Sequence, residues 1–73
     1  MNLVSTQVEC RSEGNYADRP VALYWQGQRL EIRSILAEWR TPEGKYFRVS
    51  AEDDQTFELI YNEASDAWQI RQL

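Results

Sequence analysis

The chain has no histidine, one cysteine, three glycines and two prolines among its 73 residues. Without histidine, the commonest general base for a serine or cysteine nucleophile is missing, and no glycine-rich phosphate loop is present. We therefore predict no catalytic residue and no cofactor. Because Cys10 is alone, an intramolecular disulfide is excluded and a reducing compartment, the cytoplasm, is expected.

The chain also lacks a long apolar run. No window approaches the roughly 18 apolar residues that a membrane-spanning helix needs. Residues 1–10 do not combine a charged start with an apolar stretch, as a signal peptide does. We expect neither membrane insertion nor secretion, and the length predicts one domain, 1–73, with one small core.

Charge is unevenly distributed along the chain, whose net charge is −4. Residues 19–48 carry six basic and three acidic side chains, whereas residues 49–73 carry one basic and six acidic ones. If neighbouring segments form neighbouring strands, one rim of the domain is basic and another acidic. The alternative is that these charges pair across strands as ordinary surface ion pairs.

From residue 20 onward, short apolar segments alternate with turn signals, which predicts strands and tight turns. Val21, Leu23 and Trp25 share one face of the first strand, and Gly27 supplies the positive φ of a hairpin. A second turn is predicted at 41–44, where proline stands second and glycine fourth. The remaining strands are predicted at 45–50 and 56–61 and from residue 68 onward. Their alternation predicts these core residues: Phe47, Val49, Phe57, Leu59, Tyr61, Trp68 and Ile70.

The segment 29–40 is long for a strand and changes phase. Leu30 and Ile32 share one face, but Ile35, Ala37 and Trp39 have the opposite parity, so a β-bulge near residues 33 and 34 is predicted to bring both groups to the core. A helix is the competing interpretation, since several residues lie at helical spacing. The strand is preferred because no N-cap precedes the segment.

These patterns predict an all-β fold, a small curved antiparallel meander of five or six strands, barrel-like, with a bulged long second strand in its first hairpin. Residues 20–73 form the compact β core. Residues 1–19 add a weak edge strand, over 3–10, and a polar loop. We expect the strand order to follow the chain, with the N-terminal strand closing on one edge.

The series of sequence motifs in residues 20–73 resembles a family of small uncharacterised bacterial proteins. The matching motifs are Trp25-x-Gly27, Ile32-x-x-Ile35-Leu36-x-x-Trp39, Tyr46-x-Arg48-Val49, Phe57-Glu58-Leu59-x-Tyr61 and Trp68-x-Ile70. The family has no assigned activity. Some of its members are associated with the Y-family polymerase machinery of bacteria, and the resemblance implies a setting in DNA repair.

Aromatic and arginine residues interleave along the predicted sheet. Trp25, Trp39 and Trp68 have inward parity and are expected in the core, where a small domain needs large side chains. Tyr24 and Tyr46 have outward parity. They could stack bases beside a positive groove, as in proteins that bind single-stranded nucleic acid. The predicted binding residues are Tyr24, Arg29, Arg33, Arg40, Tyr46 and Arg48.

The acidic cluster Glu52-Asp53-Asp54 with Glu58 could offer oxygen ligands to a cation. Its spacing matches no calcium loop, and consecutive acids between strands are usually solvated, so we predict no metal site. The lone thiol is expected to be a small apolar residue rather than a nucleophile.

The leading hypothesis for function is a non-enzymatic module that binds a protein partner, through an exposed sheet edge or a basic rim around Arg29, Arg33 and Arg48. The alternative is a weak single-stranded nucleic-acid binder. A small enzyme of unknown class would need a pocket that the sequence does not reveal.

Overall fold

The computed structural model describes residues 4–11 and 19–73, which form one antiparallel sheet of seven strands. The strands are β1 (Val4–Thr6), β2 (Val8–Arg11), β3 (Arg19–Trp25), β4 (Gln28–Thr41), β5 (Gly44–Ala51), β6 (Thr56–Asn62) and β7 (Ala67–Gln72). A single 3-10 turn, Glu52–Asp54, joins β5 to β6. Across the described ranges, no helix is long and apolar enough to span a bilayer. Of the polar loop predicted at 11–19, Arg11 ends β2 and Arg19 begins β3, and residues 12–18 lie outside the described residues.

The spatial order of the strands is β1-β7-β6-β5-β4-β3-β2, so the predicted meander is confirmed from β2 to β7. The strand count is higher than the predicted five or six because Gln7 divides the N-terminal segment in two. β1 pairs with β7 and β2 pairs with β3. The N-terminal segment therefore contacts both ends of the half-barrel instead of closing on one edge.

β4 is the long bulged strand that the sequence predicts, and the helical alternative for this segment is wrong. Its residues 28–31 pair with β3, and residues 32–41 pair with β5. The register against β5 shifts between Ile32 and Ser34, as predicted. A second, unpredicted shift lies between Ile35 and Ala37. Each shift inserts one extra residue and reverses the faces of the residues that follow.

The core lies on the inner face of the curved sheet. Its fully or almost fully buried side chains are Leu23, Leu30, Phe47, Val49, Ala51, Phe57, Leu59 and Ile70. Trp25 and Trp68 pack against this cluster, as predicted. The Trp25 ring meets Phe57 edge-on with ring centroids 5.4 Å apart, and Trp68 lies 5.9 Å from Phe47. These two aromatic contacts pack the tryptophan rings against the buried phenylalanines of the core.

Two tight hairpins fix the strands around β4. Gln26 and Gly27 both have positive φ, 52° and 80°, which confirms the predicted hairpin at Gly27. In the second hairpin Thr41 pairs with Gly44, so Pro42 and Glu43 form the loop. A side chain on Gly44 would overlap the carbonyl oxygen of Tyr61 on the neighbouring strand. Only glycine lets β5 and β6 approach this closely.

We expect Gly44→Ala to destabilise the protein more than Gly27→Ala. At Gly27 an added methyl group meets no atom within 4 Å, so the change costs about 1 to 2 kcal/mol through the positive φ alone. At Gly44 the methyl group collides with backbone, and β6 must shift. Thermal unfolding of the two variants measures the difference; equal melting temperatures would contradict the close approach of β5 and β6.

Candidate interaction surface

The outer face of β4 to β7 carries aromatic and arginine side chains in adjacent rows. In one row Trp39 lies beside Tyr46, which lies beside Ile60. In the next row Arg48 lies beside Glu58, which is followed by Arg71. We name the four residues Trp39, Tyr46, Arg48 and Arg71 the aromatic-arginine patch.

Trp39 belongs to this outer patch and not to the core. Its ring stacks on Tyr46 with centroids 5.3 Å apart and planes inclined by 20°, and the Arg48 guanidinium carbon lies 5.6 Å from the Trp39 centroid. The prediction that Ala37 and Trp39 face the core is therefore wrong, and Ala37 shares the outer face through its pairing with Arg48. The physical reason is the second register shift, at Leu36, which places Trp39 on the same face as Tyr46. Tyr46 has the outward orientation that its parity predicts.

Glu58 anchors the two arginines of the patch. It is on the outer face of the sheet, yet it is only 3% exposed. Arg48 Nη2 donates to Glu58 Oε2 at 3.2 Å, and Arg71 Nη2 donates to Glu58 Oε1. A carboxylate at this depth requires cationic partners, so it holds both guanidinium groups in place. The buried Nε of Arg71 has no hydrogen-bond partner within the described structure.

The patch borders an unpaired side of β4. Beyond Glu31, β4 pairs only with β5, and no described strand pairs with its opposite side. We name this side of residues 32–41 the open edge. Leu36, the extra residue of the second register shift, is 55% exposed there. Together, the patch and the open edge combine large side chains with backbone groups that face no described neighbour.

A second cluster lies on the outer face of β2 to β4. Glu9 accepts hydrogen bonds from Arg29 Nε at 2.8 Å, from Arg29 Nη2 at 2.9 Å and from the Tyr24 hydroxyl at 2.8 Å. The Arg29 bonds, reinforced by Tyr24, lower the pKa of Glu9 from 4.5 to about 2. Hydrogen bonding to Glu9 raises the pKa of both Tyr24 and Arg29.

The predicted binding residues do not form one basic rim. Tyr24 and Arg29 share the Glu9 cluster, Tyr46 and Arg48 share the aromatic-arginine patch, and Arg40 pairs with Glu63 at 2.9 Å. Arg33 is exposed at the first register shift and forms no ion pair with the described part of the chain. Across most of this surface, the alternative that charges pair across strands describes the structure.

A cavity of about 350 Å³ opens where the turns after β4 and β6 meet β2. Its walls include the aromatic rings of Phe47, Tyr61 and Trp68. Four of its polar side chains form two pairs, Arg40 with Glu63 and Asp66 with the Tyr61 hydroxyl. The Cys10 thiol and Lys45 also line the cavity, and Lys45 pairs with Glu38.

Sequence reasoning missed Leu36 and the anchoring role of Glu58. A signal for Leu36 was present, because adjacent apolar residues Ile35 and Leu36 cannot both fit the alternation of a half-buried strand. Such a pair indicates either an extra residue or an apolar side chain on the outer face, as Ile60 beside Leu59 shows in β6. For Glu58 no comparable signal exists, since its burial depends on Arg48 and Arg71 from the strands on either side.

Comparison of the chain with protein-family models, with curated proteins and with solved structures finds no match. The geometry of the patch and of the open edge is therefore the basis for assigning a function to this protein.

The lowered pKa of Glu9 predicts a pH-dependent contribution to stability. Because the folded pKa lies below the ordinary value, ionised Glu9 stabilises the protein above about pH 4.5, and this contribution is lost as the pH falls toward about 2. We expect the melting temperature of wild type to exceed that of Glu9→Gln at pH 6 and the gap to shrink in acid. Glu31→Gln, which removes only a 3.7 Å contact to Arg29, is the control and should show a smaller gap. A gap for Glu9→Gln that is independent of pH would contradict this assignment.

The position of Trp39 predicts a modest cost for its removal. Trp39→Ala loses one aromatic stack and one cation-π contact, a loss of about 1 to 2 kcal/mol. Trp25→Ala opens the core beside Phe57 and should cost about 3 to 5 kcal/mol. Urea unfolding measures the loss of unfolding free energy in both variants. A loss for Trp39→Ala as large as that for Trp25→Ala would indicate that Trp39 packs in the core.

Proposed function

We propose that this protein is a non-enzymatic protein-interaction module. In this proposal, an extended segment of a partner protein adds as a strand to the open edge of β4 and places side chains against the aromatic-arginine patch. The observation that carries the proposal is the open edge itself, beside which the exposed Leu36 lies. Strand addition of this kind is a common mode of peptide recognition.

The composition of the patch supports the proposal. Tryptophan, tyrosine and arginine are the residue types that most often dominate the binding energy of protein interfaces. Here the Trp39 ring stacks on Tyr46 and contacts the Arg48 guanidinium group. Arg48 in turn donates a hydrogen bond to the buried Glu58. A surface that is ordered before binding loses less side-chain entropy when a partner docks.

Single-stranded nucleic acid is the second candidate partner. The stacked pair of Trp39 and Tyr46 next to two arginines is the observation that favours it. The resemblance to a family associated with Y-family polymerases adds a DNA-repair setting to this candidate. Against it, Glu58 offsets part of the positive charge of the patch, and the whole chain carries a net charge of −4. The protein partner is therefore the better-supported candidate.

Capture from a lysate of the native host tests docking at the open edge. We expect immobilised wild-type protein to recover a partner, and Leu36→Lys to lower its recovery by about tenfold or more, because an exposed lysine blocks strand addition. Leu73→Lys is the matched control, since Leu73 is exposed to 51% compared with 55% for Leu36. Recovery that is equal for the two variants would refute docking at the open edge.

The salt dependence of binding distinguishes a protein partner from a nucleic-acid partner. Binding of a single-stranded oligonucleotide, measured by fluorescence anisotropy, should weaken steeply between about 50 and 200 mM salt if phosphate contacts drive it. Strand addition should vary little over that range. Salt-sensitive oligonucleotide binding that is lost in Trp39→Ala would favour the second candidate.

A further inference from the structure

The regular part of the open edge is residues 37–41, after the second register shift. Pairing with β5 places Ala37, Trp39 and Thr41 on the outer face. The same pairing places Glu38 opposite Phe47 and Arg40 opposite Lys45, on the inner face. The edge thus presents an anion and a cation, two residues apart, on the face opposite to Trp39.

Charged inner-face residues on an edge strand reject most incoming strands, because an unmatched charge is left facing apolar or like-charged neighbours. Glu38 and Arg40 are 50% and 58% exposed in their side chains. Glu38 contacts Lys45 through Oε2, and Arg40 contacts Glu63 through Nη1, so each keeps atoms for a second partner. A matching strand must place a cation beside Glu38 and an anion beside Arg40.

We propose that the strand which meets this requirement is residues 37–41 of a second copy of the chain, docked antiparallel with Trp39 opposite its own symmetry mate. This inference rests on the proposed docking function of the open edge. In that register, Glu38 of each copy faces Arg40 of the other, and Ala37 faces Thr41. Directly opposed side chains in an antiparallel pair have Cβ atoms about 4.5 to 5.5 Å apart, close enough for both ion pairs.

The register also joins the two aromatic-arginine patches. The two Trp39 rings meet at the symmetry axis on the outer face, each backed by its own Tyr46 and Arg48. Pro42 ends the ladder because it has no backbone N–H to donate. The pairing is therefore limited to five residues of each chain. Since stable dimers bury more surface than so short a ladder provides, the association is weak and depends on protein concentration.

Sedimentation velocity over a concentration series tests the self-pairing. Wild type is expected to shift from monomer to dimer as its concentration rises. Glu38→Arg and Arg40→Glu each place like charges opposite one another, so each variant alone should stay monomeric. An equimolar mixture of the two should associate again, because the cations of one chain then face the anions of the other. The double variant with both substitutions should regain self-association for the same reason.

Arg11→Glu is the matched control. It changes the net charge by the same amount as Arg40→Glu, and Arg11 is exposed on β2, which pairs with β3 and lies outside the open edge. It should self-associate as wild type does. Circular dichroism of every variant verifies the fold.

Two results would overturn the inference: a wild-type chain that remains monomeric at every concentration, or a dimer that neither charge reversal disrupts. The docking function fails by a different measurement, equal capture by Leu36→Lys and Leu73→Lys. A monomeric wild type with a Leu36-dependent partner would leave docking intact and assign the open edge to another protein.

Discussion

The pairing of one long strand with two different neighbours organises this protein. The first part of β4 pairs with β3 and the rest with β5, and the register against β5 shifts twice in between. The shifts bend β4, so that a single strand pairs with β3 in its first part and with β5 in the rest. They also leave one side of residues 32–41 without a described neighbour and direct Trp39 outward. The candidate interaction surface is thus a consequence of how β4 bends.

Buried charge gives that surface its order. Glu58 lies on the outer face under two arginines from the strands on either side, and its burial would be unfavourable without both of them. The arrangement restrains Arg48, which in turn lies against the Trp39 ring. Electrostatics, aromatic stacking and strand register therefore act on the same few side chains. A change at one of them is expected to affect the others.

The uneven distribution of charge along the chain has a simple explanation in three dimensions. The basic residues of the central strands meet acidic residues from both ends of the chain, as Arg29 meets Glu9 and Arg40 meets Glu63. In this meander β2, β3 and β4 lie side by side, and Arg40 near the turn after β4 lies close to Glu63 in the turn after β6, so these distant segments meet. Segregation in sequence thus becomes pairing in space, and the predicted basic rim is replaced by local ion pairs.

The sequence by itself determined the all-β class, the meander order, the two hairpins at Gly27 and Gly44 and most of the core, because alternation and turn residues act locally. It also indicated the first bulge of β4, through the change in parity around Arg33. The tertiary structure alone decided the second shift at Leu36 and, with it, the outward position of Trp39. It decided the burial of Glu58 as well. These features depend on which residues of neighbouring strands lie opposite one another, and a one-residue slip that sequence parity does not resolve exchanges the two faces of a strand.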